Sequence, residues 1–310
     1  MPENRLHLPE GLKPVPHFTL STLKEAMETG GILEAVPKRC DAEHTLFFQL
    51  NGISAVMKRD QVNAPWISGA NRSISIISRV GKRTCFTVKD ILSDEKGAPV
   101  AILSRKDAQE KTMQRFFETL KPGAVLTCCV THMESFGVFL DIGCGIIAML
   151  PVEHISISRI PHPRERFRVG QKILAAVLSI DRERYRITMT HRELLGTWME
   201  NASLFQPGET VSGVVRSVQT YGSFIELMPN LSGLTDVHEG LLPGDHVSVF
   251  IKSMDPMRMK IKLQLIEKLS GTPESDLLQY HITDGILSRW KYSPKDCEKT
   301  VETVFTETFP

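Results

Sequence analysis

Two stretches of this chain, KPGAVLTCCVTHMESFGVFLDIG at residues 121–143 and QPGETVSGVVRSVQTYGSFIELM at residues 206–228, follow one pattern. Each opens with a Pro-Gly pair and places a second glycine, directly behind an aromatic residue, 14 positions after the first. These glycines are Gly123 and Gly137 in the first copy and Gly208 and Gly222 in the second. This matching spacing indicates an internal repeat. A repeat constrains the overall architecture more strongly than any single predicted helix or strand does.

A second block repeats further along the chain. Gly170 precedes Arg186 by 16 positions, and Gly244 precedes Lys260 by 16. Between the blocks the spacing differs. Gly137 and Gly170 lie 33 positions apart in the first copy, whereas Gly222 and Gly244 lie 22 apart in the second, so the second copy lacks one long loop. Both copies consist of short alternating segments bounded by Gly or Pro, without a helical crossover. This pattern predicts a small closed all-β barrel for each copy.

Alternation assigns a face to each residue of these strands, because successive side chains point to opposite sides. The side chains predicted to face the core are Leu126, Cys128, Val130, Leu140, Ile142, Ile187 and Met189 in the first copy and Val211, Gly213, Val215, Ile225, Leu227, Ile261 and Leu263 in the second. Those predicted to face solvent are Phe139, Asp141, Arg186, Thr188 and Thr190, and Phe224, Glu226, Lys260 and Lys262. Each barrel is therefore expected to carry an exposed phenylalanine and exposed cations.

Aromatic rings and cations on one face suit single-stranded RNA, because unpaired bases stack on rings while Arg and Lys follow the phosphates. Gly137 and Gly222 are expected to let the backbone approach closely. The candidate RNA-binding residues are Phe136, Phe139, His154, Arg164, Arg166, Arg168, Arg184, Arg186, Tyr221, Phe224, Lys260 and Lys262. The alternative for Phe136 and Tyr221 is that one aromatic residue per copy only caps the end of its barrel.

The extra loop of the first copy is basic. It carries Arg159, Arg164, Arg166, Arg168 and Lys172 against Glu165, and the arginines continue at Arg182, Arg184 and Arg186. Such charge runs are often no more than solvated surface. Since the second copy lacks this loop, the first copy is expected to be the stronger RNA binder.

Residues 123–192, with FGVFLDIG, VGQKILAAVLSID and RITMTHRE, resemble an S1 RNA-binding domain, and residues 206–266, with YGSFIEL, SGLTD, PGDHV and MKIKL, resemble a shortened second one. The whole chain resembles the short ribosomal protein S1-like proteins of clostridial-type bacteria. The resemblance implies an OB-fold barrel, binding of single-stranded RNA through the face of the second and third strands, and a role in translation. A histidine common in the family after the third strand is replaced here by Pro151 and Asp236, and His154 is the candidate substitute in the first copy.

The rest of the chain gives weaker patterns. Residues 31–105 contain strand-like segments in the same order and are predicted to form a degenerate barrel that anchors or packs. Short helices are expected near Thr22 to Met27, from Lys106 to Leu120 and within HRELLGTWMENASLF at residues 191–205, where Leu194, Leu195 and Trp198 would pack between domains. The predicted fold class is all-β, with tandem five-stranded OB-fold barrels of the S1 type joined by short helices. The predicted divisions are an N-terminal extension at 1–30, a degenerate barrel at 31–105, a helical linker at 106–120, an S1 barrel at 121–192, a helical linker at 193–205, a shortened S1 barrel at 206–267 and a tail at 268–310.

Composition limits the possible functions. The chain has 310 residues, 37 Lys and Arg against 36 Asp and Glu, so a nucleic-acid footprint must be local. The absence of an apolar leader and of a long apolar run favours a cytoplasmic protein outside the membrane. The scattered cysteines indicate reduced thiols, and a zinc site around Cys128, Cys129 and His132 is disfavoured because the usual paired spacing is missing.

Three classes of function compete at this point. The leading hypothesis is a monomeric, non-catalytic binder of single-stranded messenger RNA, with the small ribosomal subunit as a further partner and with no cofactor or metal. The alternative is a protein-interaction module that docks on the ribosome or on an RNA-processing enzyme and contacts RNA incidentally. An enzyme is disfavoured because no metal-binding carboxylate pair, phosphate loop or nucleophile motif is found.

Overall fold

The computed structural model describes residues 8–14, 16–67, 69–70, 72–271 and 278–306. Residues 1–7 and 15 of the predicted N-terminal extension, and residues 272–277 and 307–310 of the predicted tail, lie outside the described ranges. The helices are α1 (Leu20–Thr29), α2 (Ser73–Ile77), α3 (Arg105–Thr119) and α4 (Trp198–Ala202). Across the described ranges, none of them has the length and apolar character that crossing a membrane requires.

The strands form three successive curled sheets and a small terminal hairpin. The first sheet contains β1 (Leu33–Ala35), β2 (Arg39–Cys40), β3 (Leu46–Leu50), β4 (Ile53–Met57), β5 (Thr84–Ser93) and β6 (Pro99–Ser104). The middle barrel contains β7 (Val125–Glu134), β8 (Gly137–Asp141), β9 (Ile147–Pro151), β10 (Lys172–Asp181) and β11 (Arg186–Thr190). The third barrel contains β12 (Thr210–Gln219), β13 (Gly222–Met228), β14 (Leu231–Thr235), β15 (His246–Asp255) and β16 (Lys260–Lys268), and the hairpin contains β17 (Arg289–Lys291) and β18 (Glu302–Val304).

The middle and third barrels are both closed and share one topology. Their strand orders are β10-β11-β9-β8-β7 and β12-β13-β14-β16-β15, and each contains one parallel pair, β9 with β11 and β14 with β16. The first strand carries a bulge at the same place in both, between Val130 and His132 and between Val215 and Ser217. A bulge increases strand twist, which lets one long strand follow the curve of a small barrel. The predicted tandem five-stranded barrels are confirmed for these two sheets.

The strands of the first sheet pair in the same order as those of the two barrels, but the first strand is broken into β1 and β2. β1 pairs with β5 and β2 pairs with β3, while β4 and β6 form the parallel pair. Pro37 lies between β1 and β2, and a proline cannot donate a ladder hydrogen bond in mid-strand. The sheet therefore stays open, in the order β1-β5-β6-β4-β3-β2.

Helix α3 follows the first sheet and closes one end of the middle barrel. The Ser104 side chain caps it by accepting a hydrogen bond from the backbone N–H of Asp107 at 2.9 Å. Met113 and Phe116 are buried in the core of the middle barrel, and Phe117 and Leu120 pack against that core. These four apolar residues recur at helical spacing and join the helix to that core.

The tail, for which the sequence offers no interpretation, packs across the other modules. The Gly285 carbonyl accepts a hydrogen bond from the N–H of Val125 at 3.0 Å, next to the start of the middle barrel. Trp290 and Tyr292 of the hairpin are buried in a core shared with α4 and the third barrel. Tyr292 also donates its hydroxyl to the carbonyl of Asn230 at 2.5 Å. The two closed barrels are therefore joined by the linker and by the tail.

Candidate nucleic-acid interface

One row of outward-facing residues crosses the middle barrel. The strand register places His132 opposite Phe139, Phe139 opposite Met149, and Met149 opposite Thr188. Val138 and Leu140, which flank Phe139 in the sequence, are buried in the core, so the Phe139 ring points outward as predicted. Phe139 is half-buried rather than fully exposed.

The third barrel carries the equivalent row. Ser217 lies opposite Phe224, Phe224 opposite Leu234, and Leu234 opposite Lys262. Phe224 is 36% exposed, and Ile225 beside it is buried. Register thus puts an aromatic ring, an apolar side chain and a cation side by side. Met149 and Leu234 are absent from the predicted set, although alternation along β9 and β14 would have identified them.

Each row includes a perpendicular pair of aromatic rings. Phe136 and Phe139 have ring centroids 6.1 Å apart at an interplanar angle of 86°, and Tyr221 and Phe224 have centroids 6.3 Å apart at 88°. Phe136 is 52% exposed and Tyr221 63%, so neither fills a barrel end. In an edge-to-face pair, one ring edge covers one ring face. Phe136 and Tyr221 keep more than half of their surface open to solvent.

Gly137 and Gly222 begin β8 and β13, where the backbones of neighbouring strands lie close together. A Cβ on Gly137 would lie 2.6 Å from the carbonyl oxygen of Leu150, and a Cβ on Gly222 would lie 2.1 Å from that of Thr235. Both glycines are buried. They let the backbones of neighbouring strands approach each other closely.

The predicted cations at the ends of the last strands lie on the surface. Arg186, Lys260 and Lys262 are exposed, and within the described residues none of them forms an ion pair. Arg184 is also exposed, with its guanidinium 3.5 Å from Asp181. These cations could bind phosphates while breaking few of their existing interactions.

The arginines of the long loop divide into two groups. Arg164 and Arg168 are exposed. Arg166 has a side chain only 6% exposed and forms an ion pair with Glu226 of the third barrel. Arg166 is therefore corrected from an RNA contact to an interdomain one, because its charge is already matched by a buried carboxylate.

The two carboxylates predicted to face solvent are instead buried. Asp141 accepts hydrogen bonds from the N–H groups of Glu10 at 2.8 Å, Gly143 at 2.8 Å and Gly145 at 3.1 Å. Burial, together with the nearby charge of Glu10, raises the pKa of Asp141 to about 7. Burial acts to raise the pKa of Glu10 as well, but Arg105 and Arg79 outweigh it and hold that pKa at about 2.

Glu226 occupies the same position in the third barrel. Arg216 binds it with two nitrogens, at 2.9 and 3.0 Å, and Arg166 reaches it from the middle barrel. Asp141 and Glu226 do share a face with Phe139 and Phe224, as alternation predicts. Around each carboxylate, however, the face is covered by a preceding part of the chain. Glu10 of the N-terminal extension covers Asp141, and Arg166 of the middle barrel covers Glu226.

His154 and Thr190 lie together at the edge of the middle barrel. The Nδ1 atom of His154 is 3.3 Å from the Thr190 hydroxyl, which donates to the buried carboxylate of Glu193. Thr190 is fully buried, so its predicted solvent position is wrong, because the linker after β11 covers it. Burial and the neighbouring Arg192 lower the pKa of His154 below its usual value.

The cysteines considered for zinc do not converge. Cys128 points into the core of the middle barrel and is fully buried, whereas Cys129 lies on the other face and is half-buried. Burial raises the pKa of both thiols above the usual value. His132 is exposed and pairs with Glu134 at 2.6 Å.

Closed five-stranded barrels with one parallel pair, each carrying aromatic rings and cations on one outer face, define the class of OB-type nucleic-acid-binding proteins. Residues 119–192 match the family model described as the S1 RNA binding domain. The middle barrel is therefore similar to the S1 RNA binding domain family.

Named relatives agree with that family. The small ribosomal subunit protein bS1 homolog of Bacillus subtilis is 29% identical over 192 residues, which cover 58% of this chain and 49% of the relative. The bS1 protein of Neisseria meningitidis is 29% identical over 259 residues, covering 78% of this chain and 44% of the relative. The chain thus spans about half the length of these relatives, or less.

Among solved structures, a multidomain protein with nucleic acid binding domains from Streptococcus pneumoniae matches 79% of this chain and 76% of its own. Its identity is 13% and its TM-score 0.26, which is too low to bear on the fold.

Proposed function

We propose that this protein binds single-stranded RNA through the outer faces of its middle and third barrels, catalyses no reaction, and acts in translation by holding unstructured messenger RNA at or near the small ribosomal subunit. The observation that carries the proposal is the pairing of a ring with an apolar side chain at matching register positions in both barrels, Phe139 with Met149 and Phe224 with Leu234, beside exposed cations of the last strands. The names of the relatives support the connection to translation.

Single strands fit this surface better than duplexes do. The rings of Phe139 and Phe224 and the partly exposed Met149 and Leu234 offer apolar faces only to bases that are unstacked. Arg186, Lys260 and Lys262 stand beside them as partners for phosphates. No proton or electron has to move, so positioning and charge are all that the function requires.

An anisotropy titration with a labelled single-stranded oligoribonucleotide and its duplex tests the proposal at two salt concentrations. We expect tighter binding of the single strand and a steep fall in affinity with salt, because released counterions drive such binding. The double variant Phe139→Ala with Arg186→Ala should weaken binding most. Equal affinity of that variant and the unmodified chain would show that the RNA face is elsewhere.

A protein-docking role is the second candidate. The observation that favours it is that outer faces of both barrels already dock other modules, at Asp141 and at Glu226. Weak RNA binding with little salt dependence would support this role. Co-sedimentation with small subunits that survives ribonuclease treatment would support it further.

A further inference from the structure

We propose that the long loop of the middle barrel, residues 152–171, and the aromatic row of the third barrel form one continuous RNA-binding surface, so that a single strand passes from one barrel to the other without a break. This inference rests on the proposed function. It assigns the loop arginines to the site of the third barrel, whereas sequence alone assigns them to the middle barrel.

The loop is bound to the third barrel by polar contacts. The Ser158 and Ser232 hydroxyls lie 2.8 Å apart, and the N–H of Ser158 donates to the carbonyl of Pro229 at 3.2 Å. The N–H of Ile157 donates to the Asn230 side chain at 2.9 Å. Ser158 and Asn230 are buried or nearly so. These bonds fix the loop against the start of β14.

A buried ionic cluster makes the second attachment. Arg166 and Arg216 both bind the carboxylate of Glu226, and Arg216 also binds Glu165 of the loop. The series of ion pairs begins and ends in the loop, at Arg166 and Glu165, and passes through Glu226 and Arg216 of the third barrel. Removing one member of such a buried set leaves another charge without its partner, which is costly. The loop is held by charge as well as by hydrogen bonds.

The other side of the loop is part of the core of the middle barrel. Ile155, Ile160 and Phe167 are buried there. The Phe167 ring meets the ring of His191 edge to face, with centroids 5.1 Å apart. The loop is therefore anchored on both sides, one to each barrel.

The docking position lies directly beside the aromatic row. Glu226 and Ser232 pair across β13 and β14, and Phe224 and Leu234 form the next outward pair along the same strands. Positions two apart in a strand are separated by roughly 7 Å. The loop therefore borders the row that is proposed to stack with bases, at about the spacing of one nucleotide.

Three arginines of the loop lie close in sequence to its contacts with the third barrel. Arg159 follows Ser158, and Arg164 and Arg168 flank Arg166; all three are exposed and form no ion pair within the described part of the chain. Phosphates of a strand whose bases stack on Phe224 and Tyr221 would meet these guanidinium groups. Rings on one side and unpaired arginines on the other fit a nucleic acid better than an acidic peptide, which has no bases to stack.

The decisive experiment removes the aromatic pair of the middle barrel, using the full chain with Phe136→Ala and Phe139→Ala. In that background, Arg164→Gln with Arg168→Gln should lower the affinity for an oligoribonucleotide of about six nucleotides by roughly fivefold or more, since that length fits one barrel. The slope of log affinity against log salt should become shallower by about 1.4, or about 0.7 for each lost phosphate contact. The matched control, Lys24→Gln with Lys38→Gln, removes the same charge from the first sheet and its helix and should change neither quantity.

Different results overturn different statements. If the loop substitutions have no effect in that background, the arginines serve the middle barrel alone or a protein partner, and the continuous surface is wrong while RNA binding stands. If the unmodified chain binds no single-stranded RNA, the proposed function and this inference both fail.

Substitution of Arg166 tests whether this residue positions the loop against the third barrel. Arg166→Gln leaves the Arg216 contacts to Glu226 intact within the third barrel, so folding of that barrel is preserved and can be checked by circular dichroism. We expect lower affinity with an unchanged salt slope, because Arg166 fixes the loop without touching phosphate, and partial rescue by Arg166→Lys. A slope that falls as it does for Arg164→Gln with Arg168→Gln would overturn this role.

Discussion

At the scale of single residues, burial and exposure decide which side chains can meet RNA. Phe139 and Phe224 occupy matching register positions, but Phe224 is the more exposed of the two rings. We expect Phe224→Ala to weaken binding of single-stranded RNA by about 1–3 kcal/mol, the usual value of one base–ring stack. Anisotropy titrations would measure this. Ile74→Ala, which removes a more exposed apolar side chain from α2, is the control and should leave affinity unchanged.

Protonation of His191 makes the stability of the fold depend on pH. Its Nδ1–H donates to the carbonyl of Ile155 at 2.8 Å, and its Nε2 accepts from the hydroxyl of Tyr280 at 3.1 Å, a tautomer that satisfies both partners. Burial lowers the pKa of His191 to about 4. Because the folded pKa lies below the ordinary value of 6.5, the folded state resists protonation, and stability is lost as pH falls from about 6.5 to about 4.

This loss predicts a measurable difference between the unmodified chain and His191→Asn. Acidification from pH 7 to pH 4 should cost the unmodified chain roughly 3 kcal/mol more than the variant, from a shift of about 2.5 pKa units. Urea unfolding at the two pH values would give both free energies. A variant that loses stability on acidification as steeply as the unmodified chain would show that another group is responsible.

At the scale of elements, strand-to-strand packing sets the limits on substitution. Gly137 lies where β8 and β9 approach each other closely, and a Cβ there would collide with a backbone carbonyl. We expect Gly137→Ala to lower the free energy of unfolding by about 3 kcal/mol, because backbone, unlike a flexible side chain, cannot move aside cheaply. Thermal or urea unfolding would measure the loss.

Gly97→Ala is the informative comparison for Gly137→Ala. Gly97 has a φ of +79° and open space around it, so an added methyl group meets no neighbouring atom. Its cost should be about 1–2 kcal/mol, from left-handed backbone strain alone. Equal costs at the two positions would mean that the barrel relaxes around residue 137.

The same scale shows what sequence can predict and what it cannot. Alternation within one strand places Phe139, Phe224, Lys260 and Lys262 correctly, because a strand's faces are a local property. It fails for Asp141 and Glu226, whose partners Glu10 and Arg166 lie 131 and 60 positions away. An outward side chain is exposed only if no other module covers it, and local periodicity holds no information about such covering.

The break in the first sheet and the path of the tail illustrate the same limit. Pro37 is visible in the sequence, but its effect is to split a strand whose halves pair with different neighbours, β5 and β3. The tail has no internal alternation to interpret, since Trp290 and Tyr292 fill a core supplied by α4 and the third barrel. Both features follow from contacts that are remote in the chain.

At the scale of the whole molecule, linker, third barrel and tail share one core. Trp198 of α4 and Trp290 of the hairpin are both buried in it, whereas Trp66 stacks on Tyr185 at the junction of the first sheet and the middle barrel, with centroids 4.8 Å apart. We therefore expect Trp198 and Trp290 to report the same unfolding midpoint in urea, since one core unfolds as one cooperative unit.

Two variants make the measurement direct. Trp66→Phe with Trp290→Phe leaves Trp198 as the single reporter, and Trp66→Phe with Trp198→Phe leaves Trp290. Coincident fluorescence transitions, each matching the loss of far-ultraviolet circular dichroism of that same variant, would support the shared core. A tail reporter that unfolds at clearly lower urea would show that the hairpin is only loosely attached.

The return of the tail to the middle barrel also sets an order of events during synthesis. The N–H of Val125 bonds to the carbonyl of Gly285, and the N–H of Leu287 bonds to the carbonyl of Gly123. The start of the middle barrel can therefore form these bonds only after residues about 160 positions later have been synthesised. At 5–20 residues per second, that delay is roughly 10–30 s. Throughout this interval, a nascent chain would expose the edge that the tail later covers, and it would be open to chaperones or to its own messenger RNA before the finished molecule is released.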